Sequence, residues 1–388
     1  MIKKSDTLLM NLQKNSLHTL TKKYHIVNVP LGNRSYPIYI GTNLLKNIGE
    51  LCVDHTIART VVIITDEHVA RYYLPLVKRS LEKKKISVHS IVLPPGERQK
   101  SLETAEKIYT KLLGWNIERN STIVALGGGV IGDLAGFIAA TYQRGIGFIQ
   151  IPTTLLAQVD SSVGGKVGIN HPLAKNMIGA FHQPQFVLAD TSVLKTLPKR
   201  ELICGMGEAV KYGVILDKKF FSFIEQNLNK ALLGEHTIVS HIIRRSCELK
   251  AYVVSRDEKE QNLRAILNFG HTIGHALEHA GKLSLLKHGE AILYGMIAET
   301  NIAFESGMIS FADQERLERL IKRIPIPSLS PLRLKNAKLF ETMRNDKKVK
   351  DGSIRMNLPY TIGKISLPMN VDERLIHRAI DYVKLVGV

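Results

Sequence analysis

Four side chains in the C-terminal half of the sequence have the types and spacing of a metal site. His271 and His275 lie four residues apart in NFGHTIGHALEHA, so a helix would place both imidazoles on one face. His288 follows in KHGEA, and Glu208 lies in GMGEAVKYG. A catalytic zinc takes three nitrogen or oxygen ligands and keeps one position open. The sequence therefore predicts a His/His/carboxylate site. Spacing does not select three ligands from the four, and alone it favours the pair His271 and His275.

A glycine pattern in STIVALGGGVIGDLAGF is the second chemical signal. Gly127, Gly129 and Gly132 satisfy G-x-G-x-x-G directly after a predicted strand and before a predicted helix. There, backbone N–H groups and a helix N-terminus can approach a pyrophosphate, although glycines that only close a tight turn give the same pattern. No acidic residue ends a strand about twenty positions later to bind a ribose, so Asp66 and Glu97 are the alternatives.

Alternating strands and helices must position these residues. HIVNVPLGNRSYPIYIG reads as a hairpin, TVVIITD as a buried strand, and SLETAEKIYTKLLGW as an amphipathic helix capped by Ser101. Such alternation predicts an α/β domain with a Rossmann-like parallel sheet. Beyond about residue 198 the pattern is helical. We predict a mobile extension over residues 1–25, a nucleotide-binding α/β domain over 26–198, and an all-α metal- and substrate-binding domain over 199–388.

Composition limits the classes of protein that remain. A chain of 388 residues with 44% apolar content predicts two hydrophobic cores, and no apolar run approaches the ~20 residues of a membrane span. Three cysteines, far apart, argue against a disulfide framework or a cysteine-based zinc site and suit a reducing compartment. The first 24 residues hold five lysines and one acid without an apolar core, which argues against a secretory signal. We predict a cytoplasmic protein, with a plastid transit peptide as the alternative.

The net charge of +18 raises the question of nucleic-acid binding. The basic residues are spread along the chain, and aromatic residues make up only 6% of it, so basic and stacking side chains are not interleaved. We therefore expect no nucleic-acid partner and no membrane partner. A basic surface that attracts small anionic substrates fits the charge equally well.

Several motifs together resemble the 3-dehydroquinate synthases, from about residue 26 to the end. They are GGGVIGDLAGFIAATYQRG, IPTTLLAQVDSSVGGKVGINHPLAKNMIGAFHQP, GMGEAVKYG, LRAILNFGHTIGHALE, HGEAI and MRNDKKVKDGSIRMNLP. The resemblance implies a homodimeric lyase that uses NAD and one zinc, or cobalt, ion. Its substrate would be 3-deoxy-D-arabino-heptulosonate 7-phosphate. Transient oxidation, phosphate elimination, re-reduction and aldol closure would yield 3-dehydroquinate for aromatic amino acid and chorismate biosynthesis.

The resemblance also assigns roles to individual residues. It implies metal ligands Glu208, His271 and His288, with His275 facing the substrate, which replaces the choice made by spacing. The implied NAD contacts are Asp66, Gly96, Glu97, Lys100, Gly129, Val130, Ile131, Gly132, Asp133, Thr153, Thr154, Lys166, Lys175 and Thr196. The implied substrate contacts are Lys166, Lys211, Lys250, Arg264, Asp160, Asn176, Asn268 and Lys347, with Lys348 as the alternative to Lys347, and Arg144 would reach in from the second subunit.

One residue departs from the family pattern, and other functions stay open. Gly207 stands where the family more often has alanine, and we expect it to loosen its helix by up to ~1 kcal/mol. Cyclases that make inosose or valiolone skeletons are the nearest alternatives, and the stretch VDSSVGGKVGINHPLAKN favours dehydroquinate synthase over them. Alcohol dehydrogenases of the glycerol dehydrogenase type would release NADH and need no phosphate-binding lysines. The third alternative is a basic binding protein without activity.

Overall fold

The first compact unit contains a seven-stranded sheet. The computed structural model describes residues 24–280, 285–332, 335–344, 349–350 and 353–386. The sheet order is β1-β2-β9-β6-β5-β3-β4, in which β1 is antiparallel to β2 and all other neighbours are parallel. The strands are β1 (Tyr24–Val29), β2 (Tyr36–Gly41), β3 (Thr60–Asp66), β4 (Ser87–Leu93), β5 (Thr122–Gly127), β6 (Gly147–Pro152) and β9 (Phe186–Asp190), and β7 (Lys166–His171) and β8 (Ala174–Phe181) form a separate hairpin.

Helices cover this sheet because its central strands β3, β5, β6 and β9 are buried on both faces. The four are α1 (Ile48–Asp54), α2 (Glu67–Glu82), α3 (Leu102–Gly114) and α4 (Gly129–Thr141). Nearly all of α4 is apolar, and it packs with α3, β5 and the β7–β8 hairpin in one core. This packing fixes the first turn of α4 next to the carboxyl end of β5, where open α/β sheets bind their ligands.

The second unit is mainly helical. Its helices are α5 (Lys199–Leu216), α6 (Lys218–Leu232), α7 (His236–Arg256), α8 (His271–Ala280), α9 (His288–Glu305), α10 (Phe311–Lys322), α11 (Asn336–Arg344) and α12 (Glu373–Val386). α9 is buried along most of its length, since small and apolar residues cover all its sides. A short π-helix at Ala157–Ser161 also belongs to this unit, and single π-turns are frequent at functional sites.

The predicted fold class is confirmed, with differences at the boundaries. The predicted hairpin is β1–β2, and the Ser101 side chain caps α3 by accepting from Thr104 N at 3.2 Å. β1 begins at Tyr24, inside the predicted extension, while residues 1–23 lie outside the described part of the chain. Residues 154–164 belong to the second unit, which resumes at Leu194. The sequence did not indicate that residues 154–164 belong to the second unit, because this segment follows β6 without a break in the alternation of strands and helices.

Short strands occur in the C-terminal part that was predicted to be helical, at Val349–Lys350, Ser353–Met356, Pro359–Thr361, Lys364–Ile365 and Met369–Asn370. They are two to four residues long, too short for a periodic signal.

Within the part of the chain that the structure describes, we find no helix with the length and apolar character needed to cross a membrane.

Asp217 links two helices of the second unit, and its removal should destabilise that unit. Its Oδ1 accepts from Lys219 N and Phe220 N at 2.9 and 3.0 Å, and its Oδ2 accepts from Arg245 Nε at 2.8 Å. Burial raises the pKa of Asp217, but these donors outweigh burial and hold the pKa below its usual value. The stabilisation by the ionised Asp217 carboxylate is therefore complete above about pH 4. It is lost as the pH falls through the pKa of Asp217 in the folded protein, which lies below its value in the unfolded chain.

We expect Asp217→Ala to lower the free energy of unfolding by about 1–2 kcal/mol at pH 7. The difference from wild type should shrink in acid. Urea unfolding followed by circular dichroism at several pH values measures both effects. Glu235→Ala is the matched control, because the Glu235 side chain does not cap α7. A penalty that does not change with pH would contradict the assigned ionic role.

Candidate metal and cofactor sites

The four candidate metal ligands, Glu208, His271, His275 and His288, lie together in the second unit. α8 begins at His271 and carries His275 one turn later, α9 begins at His288, and Glu208 lies in the middle of α5. The ligand nitrogens of the three histidines fall within 4.8 Å of one another. His271 Nε2 and His288 Nε2 lie 3.6 and 3.5 Å from the same atom, Glu208 Oε1. The structure therefore brings all four groups to one point.

These separations fit a tetrahedral metal ion. Two ligand atoms that each lie about 2.1 Å from a zinc ion are about 3.4 Å apart at the tetrahedral angle. Glu208 is fully buried, and its Oε1 accepts no hydrogen bond from the residues that the structure describes. His271 directs Nδ1 at the carbonyl oxygen of Phe269, 3.1 Å away, so that Nε2 is the nitrogen that faces Glu208. The residues present fit a divalent metal.

Charged neighbours control the ionisation of this cluster. The Lys211 ammonium contacts Glu208 Oε2. Burial raises the pKa of Glu208, but the Lys211 charge and His288 outweigh burial and hold this pKa below its usual value. Burial lowers the pKa of His288, while the Glu208 and Glu278 carboxylates raise it, with a net rise to about 9. Because metals bind neutral imidazole, an incoming ion must displace a proton from His288.

Asp160 organises a second polar cluster in the same unit. Lys250 Nζ donates to both Asp160 Oδ1 and the Asp160 carbonyl oxygen at 2.7 Å, and Tyr212 Oη donates to Oδ1 at 2.5 Å. Burial raises the pKa of Asp160, but Lys250 and Lys211 outweigh burial and hold it well below its usual value. Burial lowers the pKa of Lys250, and Asp160 opposes this. The cluster thus holds an ionised carboxylate beside a buried amine.

Two other predicted substrate residues also lie in the second unit. Arg264 is 2% exposed and donates from Nη2 to the Gly164 carbonyl oxygen at 3.1 Å and from Nη1 to the Glu258 carbonyl oxygen. Asn268 Nδ2 donates to Glu260 Oε1 at 2.9 Å. The Arg264 guanidinium is therefore held in place by backbone carbonyl groups, and a fixed cation suits recognition of an anionic group.

The remaining predicted residues divide between the two units. Lys166, Lys175 and Asn176 lie on the β7–β8 hairpin of the first unit, whereas Thr154 and Thr196 belong to the second. Lys347 and its alternative Lys348 lie outside the described residues.

The glycine loop of the first unit fits a dinucleotide phosphate. β5 ends at Gly127 and α4 begins at Gly129, so the first-turn N–H groups, including those of Val130 and Ile131, lie at the carboxyl edge of the sheet. Gly128 precedes the helix and has no side chain that could accept from them. At the same edge, the Thr153 hydroxyl is buried without a hydrogen-bond partner among the described residues. An open helix N-terminus beside an unsatisfied hydroxyl favours an anionic ligand.

Lys100 contacts three other predicted site residues of this unit: the cofactor residues Asp133 and Glu97 and the substrate residue Asn176. Its ammonium is nearly buried and donates to Asp133 Oδ2 at 2.7 Å and to Asn176 Oδ1 at 2.5 Å, with Glu97 Oε1 at 3.7 Å. Burial lowers the pKa of Lys100, but the two carboxylates outweigh burial and raise it. Gly96 precedes Glu97 at a turn and has a φ of 113°, a backbone conformation that would be strained in a residue with a side chain. Lys100, Asp133, Asn176 and Glu97 thus form one connected group, with Gly96 next to it in the chain.

Asp66 has a structural role that the sequence did not indicate. Its Oδ1 accepts from His68 N at 2.9 Å and Val69 N at 3.1 Å, which caps α2. Both hydrogen bonds use the same oxygen. This geometry is compatible with a ribose hydroxyl at Oδ2.

Four residues support the sites and were not singled out from the sequence. Glu278 Oε2 lies 3.3 Å from His288 Nδ1, and Asn170 Nδ2 donates to Glu97 Oε1 at 2.8 Å. Tyr212 binds Asp160, as described above, and Arg200 binds Glu290. Only Glu278 had a signal, because it lies on the same helical face as His271 and His275. The others act across 50 or more residues of sequence.

Close packing and one ion pair hold α5 against α9, the two helices that carry Glu208 and His288. Arg200 donates from Nε and Nη2 to the two oxygens of the buried Glu290 carboxylate, at 2.7 and 2.8 Å. A methyl group on Gly207 would lie 2.5 Å from the Gly289 carbonyl oxygen. The glycine that departs from the family pattern therefore has a packing role at this crossing, which the expectation based on helix propensity did not include.

Substitution of Gly289 should separate these helices. A methyl group there would overlap the carbonyl oxygen of Cys204 on α5. We expect Gly289→Ala to cost about 1–3 kcal/mol in unfolding free energy and to weaken metal binding by about tenfold or more. Metal titration and urea unfolding measure the two effects. Gly114→Ala is the control, because its methyl group would meet open space. Unchanged metal affinity in Gly289→Ala would show that the crossing does not set the ligand geometry.

Comparison with known proteins identifies relatives over most of the chain. A family model described as 3-dehydroquinate synthase N-terminal matches residues 90–204, and one described as 3-dehydroquinate synthase C-terminal matches residues 205–349. The chain is 46% identical over 347 residues to a 3-dehydroquinate synthase of Desulforamulus reducens. The matched region covers 89% of this chain and 97% of that protein.

Two solved structures have a similar fold. A 2-deoxy-scyllo-inosose synthase in complex with carbaglucose-6-phosphate, NAD+ and Co2+ is 28% identical with a TM-score of 0.85, over 94% of this chain and 100% of that chain. A 2-epi-5-epi-valiolone synthase from Streptomyces hygroscopicus with NAD+ and Zn2+ is 26% identical with a TM-score of 0.81, over 91% of this chain and 98% of that chain.

Proposed function

Since the chain belongs to the 3-dehydroquinate synthase family, we propose that it converts 3-deoxy-D-arabino-heptulosonate 7-phosphate to 3-dehydroquinate and phosphate. It is a phosphate-eliminating carbon–oxygen lyase of aromatic amino acid biosynthesis. The observation that carries the proposal is the convergence of Glu208, His271 and His288 at separations of 3.5 and 3.6 Å. A family member with this cluster has the donor set that the reaction requires.

Glu208, His271 and His288 would hold one zinc or cobalt ion, which supplies a Lewis acid for substrate oxygen atoms. His275 then faces the substrate as the fourth group of the cluster. The Glu208 carboxylate stays ionised beside Lys211, so that the ligand is ready for the metal without losing a proton. A tetrahedral site of nitrogen and oxygen ligands suits zinc, and cobalt is the alternative.

The first unit would bind NAD, which would supply a hydride acceptor that is regenerated within each turnover. The N–H groups of the first turn of α4 would hold the pyrophosphate, and the buried Thr153 hydroxyl, which has no partner among the described residues, could contact the cofactor. Lys100 holds the Asp133 carboxylate and the Asn176 amide in place. The Asp66 carboxylate would accept from a ribose hydroxyl. The other proposed contacts are Gly96, Glu97, Gly129, Val130, Ile131, Gly132, Thr154, Lys166, Lys175 and Thr196.

The substrate carries a carboxylate and a phosphate, and cationic side chains bind both. Arg264 is immobilised by carbonyl groups, and Lys250 is oriented by Asp160, so neither must be ordered when substrate binds. Asp160 and Asn268 supply polar contacts, and Lys166, Lys211, Asn176 and Lys347 complete the proposed set. Holding the opened substrate in a productive conformer favours the final intramolecular aldol closure.

Phosphate release from the heptulosonate phosphate tests this function. Purified protein with substoichiometric NAD should release phosphate over many turnovers without net NADH, and a chelator should abolish the activity. Steady NADH formation without phosphate would indicate a dehydrogenase. Turnover of a related sugar phosphate but not of this one would assign the protein to the inosose or valiolone cyclases.

We also propose a homodimer in which Arg144 completes the partner's site. Gln143 and Arg144 both adopt left-handed backbone conformations, with φ of 52° and 64°, and strain of this kind concentrates at functional sites. The Arg144 side chain is exposed and forms no hydrogen bond or ion pair with the described residues. Such a cation is placed to act outside its own chain.

Mixed dimers test the role of Arg144. Arg144→Ala and Glu208→Gln should each be inactive as pure proteins. After subunit exchange, a mixed dimer has one intact site, so random pairing should restore about one quarter of wild-type activity. Light scattering measures the oligomeric state. No recovery in proven mixed dimers would show that Arg144 acts within its own chain.

The cytoplasmic location is part of the proposal. The three cysteines are all buried and unpaired, which suits a reducing compartment, and the relatives compared above include a bacterial enzyme.

A further inference from the structure

The two ligating imidazoles of the second unit are oriented by different acceptors. His271 directs Nδ1 at the carbonyl oxygen of Phe269, at 3.1 Å, a neutral acceptor two residues away. His288 directs Nδ1 at the Glu278 carboxylate, where Oε2 lies 3.3 Å away. In both imidazoles Nε2 is the nitrogen that faces Glu208 Oε1. The acceptor at Nδ1 therefore determines which nitrogen reaches the ligand cluster.

Glu278 is placed for this role by α8 itself. It follows His271 by two helical turns, so it lies on the helical face that carries His271 and His275. Its side chain is only 15% exposed, which shields the interaction with His288 from solvent. One helix thus supplies a metal ligand at its first residue and, near its end, the carboxylate that contacts a ligand on α9.

We propose that Glu278 is a positioning residue of the metal centre, which fixes the ring orientation and tautomer of His288 and makes its Nε2 a stronger ligand. The inference rests on the proposed metal site and extends it to a residue outside the ligand set. A carboxylate that accepts from the second nitrogen of a ligating histidine orients the ring and increases ligand basicity, and its loss typically costs 10- to 100-fold in metal affinity.

A purely structural role for Glu278 makes a different prediction. An ion pair that only joined α8 to α9 would affect unfolding and would leave the ligand field of a bound metal unchanged. Partly buried ion pairs of that kind exist elsewhere in the unit, such as Glu225 with Arg316 at 2.6 Å. Glu225→Gln is therefore a matched control for the loss of a partly buried carboxylate.

The experiment measures metal binding to the full-length protein after removal of metal with a chelator. Co2+ and Zn2+ are titrated in competition with a chromophoric chelator, and the visible spectrum of the Co2+ protein is recorded. We expect Glu278→Ala to raise the dissociation constant about 10- to 100-fold and to change the Co2+ spectrum, with a smaller effect in Glu278→Gln. Glu225→Gln should match wild type in both measurements.

The outcomes distinguish this inference from the proposed function. Dissociation constants within twofold of wild type and superimposable Co2+ spectra in both Glu278 variants would overturn the positioning role while the metal site stands. If wild type itself binds no metal, the metal site fails and the role of Glu278 fails with it. Glu278→Gln preserves the shape of the side chain, so the measurement does not depend on whether Glu278→Ala folds.

Discussion

Glu208→Gln is expected to leave a folded protein that binds no metal at micromolar concentrations and shows no measurable phosphate release. Glutamine keeps the shape of the side chain but loses the charge at the atom on which His271 and His288 converge. A bound metal contributes several kcal/mol of transition-state stabilisation, so turnover should fall by about 10³-fold or more. Metal analysis after gel filtration and the phosphate assay measure the two losses.

The same substitution leaves the buried Lys211 ammonium without its carboxylate partner. Lys211 is 2% exposed, and breaking a buried ion pair costs about 3–5 kcal/mol. Glu208→Gln should therefore also unfold at lower urea concentration. Glu225→Gln removes a partly buried carboxylate that pairs with Arg316 and is not one of the four clustered groups, and it should keep both metal and activity. One tightly bound metal and full turnover in Glu208→Gln would contradict the assigned ligand.

The sequence indicated that Glu208 and the three histidines could form one cluster because these residues had recognisable local signals. A histidine pair at helical spacing indicates a shared face without any knowledge of the fold. The choice among four groups depends on where α5 and α9 meet α8, and spacing along one helix contains no such information. The pair His271 and His275, favoured by spacing alone, lies within the cluster, but Glu208 Oε1 is the atom on which His271 and His288 converge.

The sequence pattern did not predict interactions between distant segments of the chain. Arg200 and Glu290 are 90 residues apart, and so are Asp160 and Lys250. Residues 154–164 looked like a loop of the α/β domain because they follow a strand of its sheet, yet their packing places them in the second unit. Periodicity identifies the buried face of an element and does not identify its neighbour.

Asp160→Asn is expected to have the second largest effect, on both stability and activity. Lys250 is 6% exposed, and its ammonium binds Asp160 through both the carboxylate and the carbonyl oxygen. Asparagine removes the charge that offsets the burial of this amine, at a cost of about 3–5 kcal/mol. Because the pKa of Asp160 is held well below its usual value, the deficit should persist through mildly acid pH and shrink only in strong acid.

Lys250→Met separates the effect on stability from the effect on activity, because the double variant Asp160→Asn with Lys250→Met buries no unpaired ammonium. We expect the double variant to recover part of the lost unfolding free energy and to stay inactive, since a proposed substrate contact is gone. Urea unfolding of wild type, both single variants and the double variant gives the coupling energy, and phosphate release gives the activity. Additive losses in unfolding free energy would show that Asp160 and Lys250 do not stabilise each other. In that case the carboxylate would act mainly through the Tyr212 hydroxyl, 2.5 Å away, and Tyr212→Phe would reproduce the loss.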